Sequence, residues 1–236
     1  MNAVTDAEPG WEQPAADRKQ RRPRESLSRE RILRAAVRLV DEHGLEALTM
    51  RRLGQEMGVQ AMSLYNHVPS KAALLYGIVE TVLADMSPVY GPDPDWRERL
   101  RAGMRAFRQV GLAHPRVFAL NTRPWPGAAS QRSQEDLQTL RDAGFSPRLA
   151  VFAFNALVSY VVGFVARETA AMLRDPEELS EGLLSVSPDV AEARRELQGT
   201  FATLVGADDE AFELGLDAML DGLEKLRSGQ AGAAST

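Results

Sequence analysis

Residues Thr49 to Lys71, TMRRLGQEMGVQAMSLYNHVPSK, constrain the fold more than any other part of the chain. Their apolar positions, glycine and capping residues predict a short helix, a glycine turn, a second short helix and the capped start of another. Thr49 caps the first, with Met50, Leu53 and Met57 pointing inward. Gly58 supplies the turn, and Leu64 and Val68 anchor the segment from Val59 or Gln60 to His67. This is helix-turn-helix spacing, which lays one helix across a DNA backbone and the next in the major groove. Arg51, Arg52, Ser63, Tyr65, His67 and Lys71 can all donate to phosphates or base edges.

A net charge of -5 argues against a polyanionic partner only if it is spread evenly. It is not. Residues 1–71 hold 12 Lys or Arg against 10 Asp or Glu, whereas the remainder holds 16 against 23. Residues 18–34 alone hold 8 basic and 2 acidic groups. An acidic body with a basic end still attracts a polyanion, because the local field sets the attraction. The absence of cysteine excludes disulfides and thiolate chemistry, and with only three histidines neither metal nor cofactor is expected. The apolar run from Ala150 to Ala166 is interrupted by Asn155 and Ser159, so no membrane partner is expected. With no apolar segment behind the N-terminal charges, the expected location is the cytoplasm, at the nucleoid when bound to DNA.

The chain divides into four parts by composition. Residues 1–26 read as a disordered basic arm, either solvated or lying along phosphates. Residues 27–73 read as the helix-turn-helix domain, 74–228 as a second helical domain, and 229–236 as a disordered tail. The fold class is all-α. Ser28 caps the first helix, whose Ile32, Ala36, Leu39 and Val40 share one face, and Gly44 stops it. Ser70 caps a fourth helix with a broad apolar face. After a Pro- and Gly-rich linker, Trp96, Leu100, Met104 and Phe107 line up on a fifth. Arg123 to Ala129 read as a loop, and Ser146-Pro147 opens the longest and most apolar helix, to about Leu173. Residues 175–188 read as a loop and Ser187-Pro188 as another helix start. The last helix spans about Asp208 to Leu226. The surplus apolar surface of the two long helices calls for a second copy, with Leu216 and Leu220 among the contacts.

The frame AAVRLVDEHGLEALTMRRLGQEMGVQAMSLYNHVPSKAALL, from Ala35 to Leu75, resembles the TetR family of bacterial transcriptional repressors. Gly44, Leu53, Gly58, Val59, Leu64, Tyr65, His67, Val68 and Lys71 sit at its motif positions. More weakly, Thr122-Arg123-Pro124, Gly144-Phe145-Ser146 and Gly163 resemble the ligand-binding domain of tetracycline repressors. The resemblance implies a homodimer that binds a palindromic double-stranded operator and is released by a small-molecule effector. It implies base contacts from Gln60, Ala61, Met62 and Ser63, with Arg51 at the groove or its edge, and backbone contacts from Thr49, Met50, Tyr65, His67 and Lys71. Met50 can serve only through its backbone N–H. Tyr65 reads alternatively as a core aromatic and His67 as a helix-end hydrogen-bonding group.

The expected effector pocket is Phe107, Phe118, Asn121, Thr122, Trp125, Phe154, Asn155, Leu157, Val158, Tyr160 and Arg167. These residues read equally well as ordinary core. Arg167 faces an anionic group of the ligand, or pairs with Asp136 or Glu168. Tetracycline repressors carry a histidine where this chain has Ala119 and a glutamate where it has Arg167, so the implied effector is not tetracycline. Activation, or ligand-independent DNA binding, is the alternative within regulation. An enzyme is not expected: His43, His67 and His114 are far apart in sequence, and no nucleophile–base or nucleotide-loop signature is present.

Overall fold

The computed structural model describes residues 26–89, 91–122, 131–173 and 208–233. The arm at 1–25, the loop from Arg123 to Ala129, the loop at 175–188 and the helix expected at Ser187-Pro188 lie outside the described residues. Among those described, the structure is helical and contains no strand. The elements are α1 (Arg29–His43), α2 (Met50–Met57), α3 (Ala61–Tyr65), α4 (Lys71–Leu83), α5 (Trp96–Ala113), α6 (Pro115–Phe118), α7 (Gln131–Asp142), α8 (Pro147–Leu173) and α9 (Asp208–Ala233). A 3-10 turn, Leu45–Ala47, precedes α2, and a second, Ala119–Thr122, follows α6.

Local chemistry sets most of the boundaries. The hydroxyls of Ser28, Thr49 and Ser70 accept from the backbone N–H of Arg31, Arg52 and Ala73 at 3.3, 3.1 and 3.0 Å, capping α1, α2 and α4. Asp95 caps α5 in the same way, its carboxylate accepting from Glu98 N–H at 2.8 Å. Ser146 precedes Pro147 and accepts from Leu149 N–H at 3.4 Å. The last helix continues to Ala233, past the expected end near Leu226 and into the segment expected to be a tail. The segment Ser228 to Ala233 holds Gly229 and Gly232 but no proline, so the helix runs through it, and the Gln230 side chain donates to Ser146 Oγ at 2.7 Å.

Two cores form. The first joins α1 to α4 through Ile32, Ala36, Val40, Leu53, Leu64, Leu74 and Ile78, all at most 1% exposed. Each such side chain stabilises the fold by roughly 1.5–3 kcal/mol through burial. The second joins α5, α7, α8 and α9 through Leu100, Met104, Leu140, Leu157, Val161, Phe212, Leu216 and Leu220. The expected boundary at 73/74 falls inside α4, which belongs to the first core by packing. Leu83 and Met86, at its end, touch both cores.

Two further contacts tie the halves together. Val117 and Leu120, from α6 and the turn after it, are buried in the first core. His114 Nδ1 lies 2.7 Å from Asp41 Oδ2, and Arg116 donates to the Asp41 carbonyl, so α6 grips the C-terminal end of α1.

The α5–α9 contact is a ladder of charges. Arg97, Arg101, Arg105 and Arg108, on successive turns of α5, pair with Asp221, Asp217, Glu213 and Asp209 of α9 in antiparallel order. Arg108 is the buried rung. It donates to both Glu168 oxygens at 2.9 and 2.5 Å and lies over the Phe212 ring at 4.7 Å. Hydrogen bonds to Glu168 hold its guanidinium proton more firmly than usual, against the opposing effect of burial.

Candidate functional site

Two regions concentrate functional chemistry. The first is the outer face of α2, α3 and the start of α4. Gly58 closes α2 in the left-handed conformation, φ +67, which costs glycine nothing and other residues strain. Gly54 permits the close approach of the following helix: a Cβ there would lie 2.9 Å from the Val59 carbonyl oxygen. Leu53 and Leu64 are fully buried between them. These four residues fix α3 against α2.

With Leu64 inward, the rest of α3 faces out. Met62 is 74% exposed and Tyr65 42%, so Tyr65 is not a core aromatic. Gln60 occupies the α3 N-cap position, and its side chain makes no capping bond, which leaves its amide free to read an outside partner. Ala61, Ser63 and His67 are half-buried at the edge of this surface, and Arg51 and Lys71 are exposed. The Thr49 hydroxyl accepts from Arg52 N–H and retains its own proton to donate. Met50 packs its side chain against the first core. No Asp or Glu lies between Glu56 and Glu80 in sequence. The α3 segment and the start of α4 therefore offer hydroxyl, amide and ammonium donors with no acid of their own, and Arg51 adds a guanidinium from α2, where Glu46 and Glu56 lie nearby; such donors suit phosphates and base edges.

The second region is a cavity of about 200 Å³ between α4, α5, α7, α8 and the turn after α6. Four of the expected pocket residues line it: Phe107, Asn121, Phe154 and Val158. Phe118 and Leu157 lie in the core instead, Phe118 against the Phe107 ring with centroids 4.7 Å apart. Asn155 is exposed on another side of α8. The Tyr160 ring stacks on Phe212, and its hydroxyl donates to the Phe212 carbonyl at 2.9 Å. Arg167 pairs with Asp208 at 2.8 Å and lies over Phe164, so it faces neither the cavity nor its expected partners. Successive residues of α8 are rotated by about 100°, so a shift of one position moves a side chain from cavity to surface. Trp125 and the side chain of Thr122 lie outside the described residues.

Sequence reasoning missed the α4 and α7 contributions. From α4 come Tyr76, Val79, Glu80 and Leu83, and from α7 Arg132, Ser133 and Asp136. Asp136 is almost fully buried, and burial pushes its carboxyl up to about 6, with the nearby Arg132 opposing the shift. A buried acid in an otherwise amphipathic α7 was the available signal. The Tyr76 hydroxyl is also raised, first by burial and then by its neighbour Glu80.

Family models match both halves. Residues 32–77 match the bacterial regulatory proteins of the tetR family, and residues 88–227 match the tetracyclin repressor-like C-terminal domain. The chain belongs to the TetR family. It is a transcriptional regulator with an N-terminal helix-turn-helix head and a C-terminal helical domain. Tetracycline repressor protein class C from Escherichia coli is 38% identical over 209 residues, covering 85% of this chain and 92% of the relative. Among solved structures, the TetR family protein ActR of Streptomyces coelicolor, in complex with actinorhodin, is similar with a TM-score of 0.65 and 25% identity, covering 86% of this chain and 99% of ActR. BioQ with its double-stranded DNA operator is similar with a TM-score of 0.58 and 26% identity, covering 84% and 98%.

Proposed function

We propose that this TetR regulator is a repressor that binds a palindromic operator as a homodimer and is released when a small molecule enters the cavity. The carrying observation is that α4 belongs to both regions. Its N-terminal end follows the reading helix directly, its Leu74, Ile78 and Val82 are part of the DNA-binding core, and its Tyr76, Val79, Glu80 and Leu83 form a wall of the cavity. A ligand that fills the cavity biases the position of α4, and α4 carries the head with it. In the operator complex, Gln60, Ala61, Met62 and Ser63 face bases with Arg51 at the groove or its edge, while Thr49, Tyr65, His67, Lys71 and the backbone N–H of Met50 hold the DNA backbone. The named relatives bound to actinorhodin and to operator DNA support both halves of this reading.

The dimer forms through the outer faces of α8 and α9. Val151 and Phe152, followed by Asn155, Ala156, Ser159 and Gly163, give α8 an exposed strip of apolar and small residues. Leu214 and Leu226 are exposed on α9. Pro147–Ala170 is long and apolar enough to cross a membrane, and a second copy covering its outer face accounts for that composition in a DNA-binding protein. Leu216 and Leu220, expected at this interface, are instead 0% exposed within one chain.

The effector differs from the tetracycline–magnesium complex, because Ala119 supplies no side-chain ligand and Arg167 is directed to Asp208. The cytoplasm, with the nucleoid as the site of action, fits a DNA-binding regulator of this kind. Filling the cavity tests the coupling without a known ligand. Val158→Trp should weaken binding of a selected operator at least ten-fold, measured by fluorescence anisotropy, while light scattering still reports a dimer. Unchanged operator affinity in a folded Val158→Trp dimer would contradict the coupling.

A further inference from the structure

The charge pattern of the cavity selects among small molecules. Its wall is mostly apolar, with Met104, Phe107, Phe154 and Val158 from α5 and α8. Its volume of about 200 Å³ corresponds to roughly seven waters, about the size of three fused rings. The charged groups come from two sides. Helix α4 contributes Glu80, next to the Tyr76 hydroxyl, and α7 contributes Arg132 and Asp136.

The guanidinium of Arg132 is already surrounded. Its Nε lies 3.6 Å from Asp136 and its Nη1 3.7 Å from Glu135, while a Cβ on Gly103 would meet its Nη2 at 3.0 Å. Within the cavity lining, two acids, Asp136 from α7 and Glu80 from α4, thus face the one guanidinium of Arg132. The Arg132–Asp136 pair is also open: 3.6 Å is beyond hydrogen-bond range, and Arg132 Nε is buried without a hydrogen-bond partner. An entering anion meets a surplus of negative charge. An entering cation compensates Asp136 in a cavity that Phe107, Phe154 and Tyr76 also line, and aromatic rings attract cations.

Resting on the effector reading above, we propose that the effector is an aromatic molecule carrying a basic amine, and that Asp136 receives its ammonium group. Arg132 positions the carboxylate, and Glu80 adds long-range attraction from α4, so the cation is felt by the helix that moves the DNA-binding head.

The test uses three tricyclic probes on the free full-length protein, followed by calorimetric titration: 9-aminoacridine as the cation, 9-anthracenecarboxylate as the anion and 9-anthracenemethanol as the neutral ring. The cation should bind at least ten-fold tighter than the other two. Asp136→Asn should remove that preference while leaving the neutral probe unchanged, and circular dichroism checks that the variant is folded. Because the empty-pocket Asp136 carboxyl titrates near pH 6, wild-type affinity for the cation should rise about ten-fold from pH 5 to pH 7.5, and Asp136→Asn should be flat. Equal or tighter binding of the anion, a cation affinity untouched in folded Asp136→Asn, or no binding of the cation at all would each overturn the proposal. Operator binding is absent from this assay. If the cation binds as described and yet fails to release labelled operator, the ligand class stands and the repressor reading is what fails.

Discussion

Asp136 shows what a single buried side chain imposes on the whole chain. Its carboxyl is raised from 3.8 to about 6 in the folded protein, so the native state binds the proton more tightly than the unfolded state does. Stability from this group is therefore largest below about pH 4 and is lost as pH rises through 6. Asp136→Asn should raise stability at pH 7.5 by roughly 1–3 kcal/mol, and the gain should vanish near pH 4, in urea titrations at both values. A gain that is equal at both pH values would point to packing rather than ionisation. On the opposite end of the molecule, Gln60 has an uncommitted amide at the start of α3. Gln60→Ala should relax preference at one operator position at a cost of roughly 1–3 kcal/mol, read from selected-sequence logos of wild type and variant. Identical logos would remove Gln60 from base reading.

At the scale of elements, the caps and helix starts were legible because they are local. Ser28, Thr49, Ser70 and Ser146-Pro147 act within one turn of themselves, and the turn at Gly58 needs only its own backbone. The cavity wall was legible in part. Phe107, Asn121, Phe154 and Val158 lie where expected, whereas the α4 and α7 residues depend on how those helices rotate against neighbours distant in sequence. The α5–α9 ladder was invisible for the same reason: its rungs join residues separated by about a hundred positions, and a sequence shows only that arginines recur on α5. Burial separates the rungs energetically. Arg108→Ala leaves Glu168 buried without its bidentate partner and should cost roughly 3–5 kcal/mol, whereas Arg105→Ala, an exposed rung, should cost about 1 kcal/mol or less in the same denaturant titration. Equal losses would mean that the ladder acts as one network.

For the whole molecule, a long helix apolar on two sides poses a question that periodicity cannot answer. Both Leu216 and Leu214 belong to α9, yet the first is 0% exposed and the second 72%. The inward set forms the core of one chain, and the outward set is the surface proposed above to meet a second copy. Charging Leu216 and Leu220 would therefore unfold the domain rather than separate subunits. Phe152→Glu with Leu214→Glu should instead give a folded monomer with native helical content, by light scattering and circular dichroism. An intact dimer would place the interface elsewhere.

A dimer that presents two α3 helices to a symmetric site should select such a site when bound duplexes are recovered from a random DNA library. The expected product is an enriched palindrome whose half-sites are about one helical turn apart or a multiple of it, held by two chains per duplex. Enrichment of a lone asymmetric half-site, or of no sequence at all, would contradict it.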